Sequence, residues 1–239
     1  MTFHPKRAIV ILAAAYSLGF SSPVIAEELI YGFQAEEFEY RAGENGEDLA
    51  VWEIDAFVGS DELKLRFGSS AEYDLNSDKF ETLSSQLVLQ TPISDFWDAK
   101  AGIRADTPDG KNRWYGVLGV AGLAPQWIEV DADLYFSNKG DLSVTLDAEY
   151  ELLLTNYLIL TPSAQIEAAF SSDEDVGVGS GINSTELGLR LSYDVLDRAI
   201  SPYIGVVYER EYGQTANISK SEGEETSAWQ FVIGTKLLF

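Results

Sequence analysis

The sequence predicts an all-β fold: an antiparallel transmembrane β-barrel of the outer membrane, with about twelve strands and both termini periplasmic. Three observations predict it. First, apolar and polar residues alternate over long stretches. In LSVTLDAEYELLLTNYLILTPSAQIEAAF (142–170), Leu142, Val144, Leu146, Ala148, Tyr150 and Leu152 alternate with Ser143, Thr145, Asp147, Glu149 and Glu151. After Thr155-Asn156 the pattern resumes, with Leu158, Leu160, Ala164, Ile166 and Ala168 set against Thr161, Ser163, Gln165 and Glu167. A period of two means strand. Each arm exceeds ten residues, against about 5–6 for an ordinary strand. Second, short and long connections alternate along the chain. Third, SAWQFVIGTKLLF sets Trp229, Phe231, Ile233, Thr235, Leu237 and Phe239 against Gln230, Val232, Gly234, Lys236 and Leu238. That strand keeps its aromatic face to the final residue.

Strands are expected at 30–41, 49–58, 62–70, 79–90, 95–105, 113–122, 126–137, 141–154, 156–170, 184–196, 200–212 and 225–239. One set of connections is short: GSDE (59–62), QTPISD (90–95), GLAPQ (122–126), LTN (154–156) and LDRAIS (196–201). The other set is mostly longer and more polar: AGENGED (42–48), SSAEYDLNSDK (69–79), DTPDGKN (106–112), SNKG (137–140), SSDEDVGVGSGIN (171–183) and GQTANISKSEGEET (213–226). Short turns at one end and longer loops at the other are the pattern of a transmembrane barrel. Beyond residue 26 no stretch of about 18 apolar residues offers a helical span. Closing the sheet removes the exposed edges that a long open sheet would carry. The rival is a secreted β-sandwich or soluble barrel, whose apolar face would point inward. Strand length, Phe239 and the apolar run along whole strands weigh against it.

If the apolar face meets lipid, the polar face lines the lumen. Taken in order, the strands place there Glu37, Glu39 and Arg41; Glu53 and Asp55; Lys64 and Arg66; Asp98, Lys100 and Arg104; Glu129, Asp131 and Asp133; Asp147, Glu149 and Glu151; Gln165 and Glu167; Glu186, Arg190 and Asp194; Glu209 and Glu211; and Gln230 and Lys236. On the lipid face a basic group at the midplane would cost about 2–4 kcal/mol. Acids dominate from 129 to 151, so Glu129, Asp131, Asp133, Asp147, Glu149 and Glu151 are the candidate metal-attracting residues of an acidic wall. Two readings stay open. Such charges can brace a small barrel from within, or form a path or site for cations.

The first segment, MTFHPKRAIVILAAAYSLGFSSPVIA, is expected to be removed. It has a basic start at Lys6 and Arg7, an apolar run from Ala8 to Phe20, and Val24 and Ala26 before the cleavage point. That is a signal peptide over 1–26, leaving 27–239 as the barrel. The run of 13 residues is short of the roughly 20 a spanning helix needs. Losing Lys6 and Arg7 moves the formal charge from −23 to −25. Nucleic-acid binding is excluded, because phosphate contacts need clustered Lys and Arg.

Enzymatic chemistry is equally poorly served. The chain has no Cys, and its one His is His4, in the leader. Neither a Ser–His nor a Cys–His pair can be built, so the protein is read as not an enzyme. VGVGSGI (176–182) is glycine-rich, but no βαβ unit surrounds it, and it is read as a flexible loop. Asp173, Glu174 and Asp175 beside it read as a solvated acidic loop rather than a hard-cation site.

Several segments together resemble the copper resistance protein B family of outer-membrane proteins. They are FEYRAGENGEDLAVWEIDAFVGSDELKLRF (38–67), FWDAKAGIRAD (96–106), WYGVLGVAGLAPQWIEVDADLYFS (114–137), LDAEYELLLTNYLILTPSAQIEA (146–168), GVGSGINSTELGLRLSYDV (177–195) and SPYIGVVYEREYGQTA (201–216). The ending on Phe239 likewise resembles the terminal strand of bacterial outer-membrane barrels. The resemblance implies a role in copper tolerance beside periplasmic copper-handling proteins such as a multicopper oxidase. It makes copper ion the implied cargo or cofactor, and outer-membrane lipid the surrounding partner. By position it marks Glu39, Arg41, Glu129, Asp131, Glu149, Glu186, Arg190, Glu209 and Arg210 as shared lumen and rim framework, with Glu39, Arg41, Glu186, Arg190 and Glu209 taken as the lumen framework. One departure stands out. Many family members carry a Met- and His-rich segment ahead of the barrel, whereas the only Met and His here are Met1 and His4. Copper(I) favours thiolate or thioether ligands and copper(II) imidazole. The carboxylates that remain suit weakly held cations.

Overall fold

The computed structural model describes residues 29–196 and 198–239; the expected leader lies outside the described residues. Long alternating segments become long strands because each residue pair buries one side chain and turns the other outward. The strands are β1 (Ile30–Gly43), β2 (Asp48–Gly59), β3 (Lys64–Asp74), β4 (Lys79–Pro92), β5 (Trp97–Asp106), β6 (Arg113–Ala124), β7 (Ile128–Ser137), β8 (Leu142–Glu149), β9 (Leu152–Leu153), β10 (Leu158–Ala169), β11 (Gly181–Tyr193), β12 (Ile200–Glu211) and β13 (Ser227–Leu238). Neighbours pair antiparallel, and β13 pairs with β1, so the sheet closes on itself. β8 and β9 both pair with β10. They are two pieces of one stave, and the barrel has the twelve staves expected.

The expected continuous strand over 141–154 is broken at Tyr150-Glu151. The cause is Pro162, opposite the break. Tyr150 donates its N–H to the Pro162 carbonyl at 3.1 Å, but proline has no N–H to return. Pairing with β7 has also ended, at Glu129 opposite Glu149. β7 starts late because Gln126 and Trp127 both take left-handed φ, 67° and 66°. Two such residues in succession make the tight turn that suits a right-twisted hairpin.

Outward positions are apolar and exposed: Leu65 and Phe67, Leu87 and Leu89, Ile103, Leu118, Leu187 and Leu189, Phe231 and Ile233. In water this belt would be costly; against lipid tails it is the favoured surface. Inward positions hold two small apolar clusters, Val88–Val117–Tyr135 and Tyr203–Val207–Val232, among charged side chains.

One break in the alternation lies in β1. Tyr31 and Phe33 are exposed before it, Phe38 and Tyr40 after it. The register shifts between Ala35 and Glu37 against β2. A bulge inserts one residue and resets the parity. Glu36 as well as Glu37 is thereby half-buried.

The end with the termini carries the short turns. At Thr155-Asn156 the Thr155 hydroxyl accepts the N–H groups of Tyr157 and Leu158 at 3.2 and 2.9 Å. Asp194 lies in the turn after β11, where its carboxylate accepts the Arg198 N–H at 2.7 Å, and not on a lumen strand as expected. The opposite end carries the long loops. Part of 213–226, read as loop, is a helix, α1 (Gly213–Glu222). Its sequence shows no apolar stripe. Thr215, Ala216 and Ser219 are nevertheless buried, because the barrel mouth supplies the surface they pack on. Gly223 ends the helix with φ 91°, a conformation that only glycine adopts without strain.

Candidate functional site

The lumen has two unlike walls. On the first, the face of β1 and β11–β13 turns charged residues toward one another. Arg41 reaches Glu39 at 2.6 Å, Glu186 at 2.9 Å, Glu37 at 3.0 Å and Glu72 at 3.6 Å. Arg190 reaches Glu37 at 2.5 Å and Glu39 at 2.9 Å. The Tyr203 hydroxyl donates to Glu39 at 2.8 Å. Arg41 and Arg190 are 2% and 3% exposed. Charges this deeply buried persist only when paired and hydrogen-bonded, and each guanidinium fork supplies several donors. Four of the five expected framework residues, Glu39, Arg41, Glu186 and Arg190, meet in this knot. Glu209 stands beside it, opposite Glu186 on the neighbouring strand. Arg210 points outward, its guanidinium 5.4 Å from the Tyr212 ring centre.

The second wall is β7–β8. Glu129 lies directly opposite Glu149, and Asp131 opposite Asp147. Like charges across a strand pair repel. The relief comes from outside the pair. Lys100 on β5 reaches Asp131 at 2.5 Å and Asp133 at 3.0 Å. Lys236 on β13 reaches Glu149 at 2.7 Å, and Arg198 reaches Glu151 at 3.0 Å. Six acids thus face three bases, a formal balance of −3. Among the described residues, neither Glu129 nor Asp147 has a basic group in salt-bridge reach. Between the walls, Arg66 pairs with Asp55 at 2.7 Å, and Gln90 links Arg66 to Asp98 at 2.9 and 2.5 Å. Arg104 pairs with Asp106 at 2.6 Å over the Tyr135 ring.

At the loop end, Asp173 and Asp175 are not a free acidic loop. Arg113 grips Asp173 with two bonds, at 2.6 and 2.9 Å, and Lys111 and Lys139 both contact Asp175. The Arg113 guanidinium holds the Asp173 carboxyl below the usual carboxylate range, and the two lysines do the same for Asp175. A depressed folded-state pKa contributes stability above the unfolded value and loses it as pH falls through the folded one. These pairs therefore survive mild acid.

Besides Gln90, Asp106 and Tyr135, three lumen residues that escaped the sequence pattern are instructive. Glu72 joins the Arg41 knot, but 69–79 reads as a loop because its residues are small and polar. Glu36 is turned inward by the bulge. Tyr203 looks lipid-facing as an aromatic residue, although its parity with Ser201 and Val207 marks it as inward. For metal ligation, no group of three or more His, Cys, Asp or Glu side chains is placed to hold an ion among the described residues.

Comparison with known proteins places this geometry. The family model described as Copper resistance protein B precursor (CopB) matches residues 29–239. The chain is 32% identical over 207 residues to the copper resistance protein B homolog of Pseudomonas syringae pv. tomato, covering 87% of this chain and 69% of that one. It is also 32% identical over 204 residues to copper resistance protein B of Escherichia coli, covering 85% and 68%. Among solved structures, the NanC porin superposes with a TM-score of 0.51 at 13% identity, over 87% of this chain and 99% of that one. That likeness is one of fold, the outer-membrane barrel.

Proposed function

The chain belongs to the copper resistance protein B family, and from that premise we propose that this outer-membrane barrel contributes to copper and metal-ion tolerance by passing cations through an acidic lumen. The observation that carries the reading is the β7–β8 ladder, where five acids share only Lys100 and Lys236, with Glu151 and Arg198 paired just beyond its end. An under-compensated acidic wall raises the local concentration of cations. Passage needs attraction strong enough to admit an ion and weak enough to release it. Carboxylates meet both conditions; thioether or imidazole clusters would retain copper. Copper is thus cargo on this reading, and tight capture falls to a partner, a periplasmic copper-handling protein such as a multicopper oxidase. Export follows from the leader at 1–26, the termini face the periplasm, and the barrel performs no covalent chemistry.

The test is cation flux in liposomes. Asp131→Asn, Asp133→Asn and Glu149→Gln together should lower cation over anion preference several-fold, with wild-type flux well above empty vesicles. Unchanged selectivity, or no flux together with normal copper tolerance in a deletion strain, would overturn the reading. A second reading, a structural barrel without transport, is favoured by the Arg41–Arg190 knot, which braces the wall from within. It predicts a deletion phenotype confined to envelope integrity.

A further inference from the structure

The ion pairs at Asp173 and Asp175 belong to neither lumen wall. The β10–β11 connection that carries them leaves its own staves and meets the β5–β6 and β7–β8 connections, crossing the rim above β7 and β8. Beneath it is a cavity of about 140 Å³. The barrel contributes Tyr115, Tyr135, Ser143 and Glu167 to its lining, and the connection contributes Val176 and Val178.

The two ends of this connection are held by different forces. Near β11 the contacts are neutral and buried. Asn183 donates to the Gly179 carbonyl and to the Thr215 hydroxyl, both at 2.7 Å, and the Gly179 N–H donates to the same hydroxyl at 3.0 Å. A Cβ on Gly179 would lie 2.5 Å from the Thr215 nitrogen of α1, so the helix sits against the backbone with no space between them. Near β10 the contacts are exposed or charged: Ser171 donates to Asp141 and Ser172 to Gln214 of α1, both at 2.8 Å, and the remaining hold is ionic. Arg113 and Asp173 are largely buried, but Lys111, Lys139 and Asp175 are 58%, 41% and 43% exposed. Buried neutral bonds ignore salt, whereas exposed ion pairs weaken with it.

We propose that residues 171–180 are a hinged lid on the lumen mouth, fixed at Gly179 against α1 and latched at Asp173 and Asp175 by Arg113, Lys111 and Lys139. Cations in the medium screen the exposed lysine pairs of the latch and so favour opening, with the buried Arg113–Asp173 pair as the firmer catch. The lid goes beyond cation passage and does not depend on it.

The absence of cysteine allows a direct test. Ser143→Cys places one thiol in the covered cavity, and its reaction with a charged maleimide reports opening in the purified full-length barrel. Labelling should accelerate between low salt and 1 M salt, as the screening length falls to about 3 Å. With Asp173→Asn and Asp175→Asn added, it should be at least about tenfold faster at low salt, the shift expected from losing even one hydrogen bond to a charged group. It should then no longer respond to salt. Heat-modifiable migration on gels establishes that each variant is folded. If the double variant does not fold, Lys111→Gln with Lys139→Gln removes only exposed partners and should still raise the rate about two- to threefold. Equal rates in wild type and folded latch variants, at every salt concentration, overturn the lid. Salt-dependent labelling leaves the lid standing even where cation flux is absent and a deletion strain keeps normal copper tolerance, the pair of results that removes the transport reading instead.

Discussion

Where β1 meets β11–β13, every glutamate of the knot reaches an arginine, and Arg41 alone serves four of them. On β7–β8, Glu129 and Asp147 reach no base among the described residues, and Asp131 keeps a side chain 42% exposed. Both walls are charged, but the knot buries Glu39, Arg41 and Arg190 together, whereas the second wall buries only Asp133 with its partner Lys100. Where water is excluded, pairing must be complete, because an unpaired charge costs several kcal/mol. Where water enters, repulsion is screened and unpaired acids are tolerated. The first wall holds the barrel in shape, and the second sets its field.

Three substitutions would break or sharpen this contrast. The largest effect is expected from Arg190→Ala, which strips two charged hydrogen bonds from the buried Glu39 carboxylate and takes away the 2.5 Å partner of Glu37. It should destabilise the barrel by about 3–5 kcal/mol, read as the urea concentration at which heat-modifiable migration is lost. A loss below about 1 kcal/mol, the range of exposed pairs, would mean that the knot is wet and the walls are alike. Next is Asp147→Asn. It faces Asp131 across the ladder, and relief of that repulsion should stabilise by about 0.2–1 kcal/mol in the same assay. A destabilisation as large as that of Arg190→Ala would join the two walls into one network. The smallest effect is expected from Pro162→Ala, which restores a ladder donor opposite Tyr150. The gain of about 0.5–1 kcal/mol from the new bond is partly offset by a freer unfolded chain. Slower amide exchange at Glu151 and Leu152 would report the mended stave, and unchanged exchange would place the cause of the break in the Gln126-Trp127 turn.

The strand count and nearly all strand positions were legible because lipid on one side and a polar lumen on the other force strict alternation. Legibility failed where that alternation has no hold. The β1 bulge moves Glu36 inward without any glycine or proline to announce it. Pro162 was visible, but its effect falls on Tyr150, across the sheet. α1 lies outside the membrane and packs with Thr215, Ala216 and Ser219, so no apolar stripe betrays it. At the site, parity placed Glu39, Arg41, Glu186 and Arg190 on one face, but which acids find a base depends on distances around the ring. Asp173 and Asp175 read as solvated because Lys111, Arg113 and Lys139 are remote in sequence.

The knot joins opposite ends of the chain. Arg41 is matched by Glu186 and by Gln230, and Glu39 by Arg190 and Tyr203. An unfinished barrel made of the first strands alone would carry Glu39 and Arg41 toward the bilayer without these counterparts. Within β1 alone Arg41 would have to serve both Glu37 and Glu39, and the free energy of carrying the surplus carboxylate into hydrocarbon opposes premature insertion. The same residues that brace the finished wall would therefore weigh against membrane entry until the last strands arrive, an electrostatic check ahead of completion by lipid.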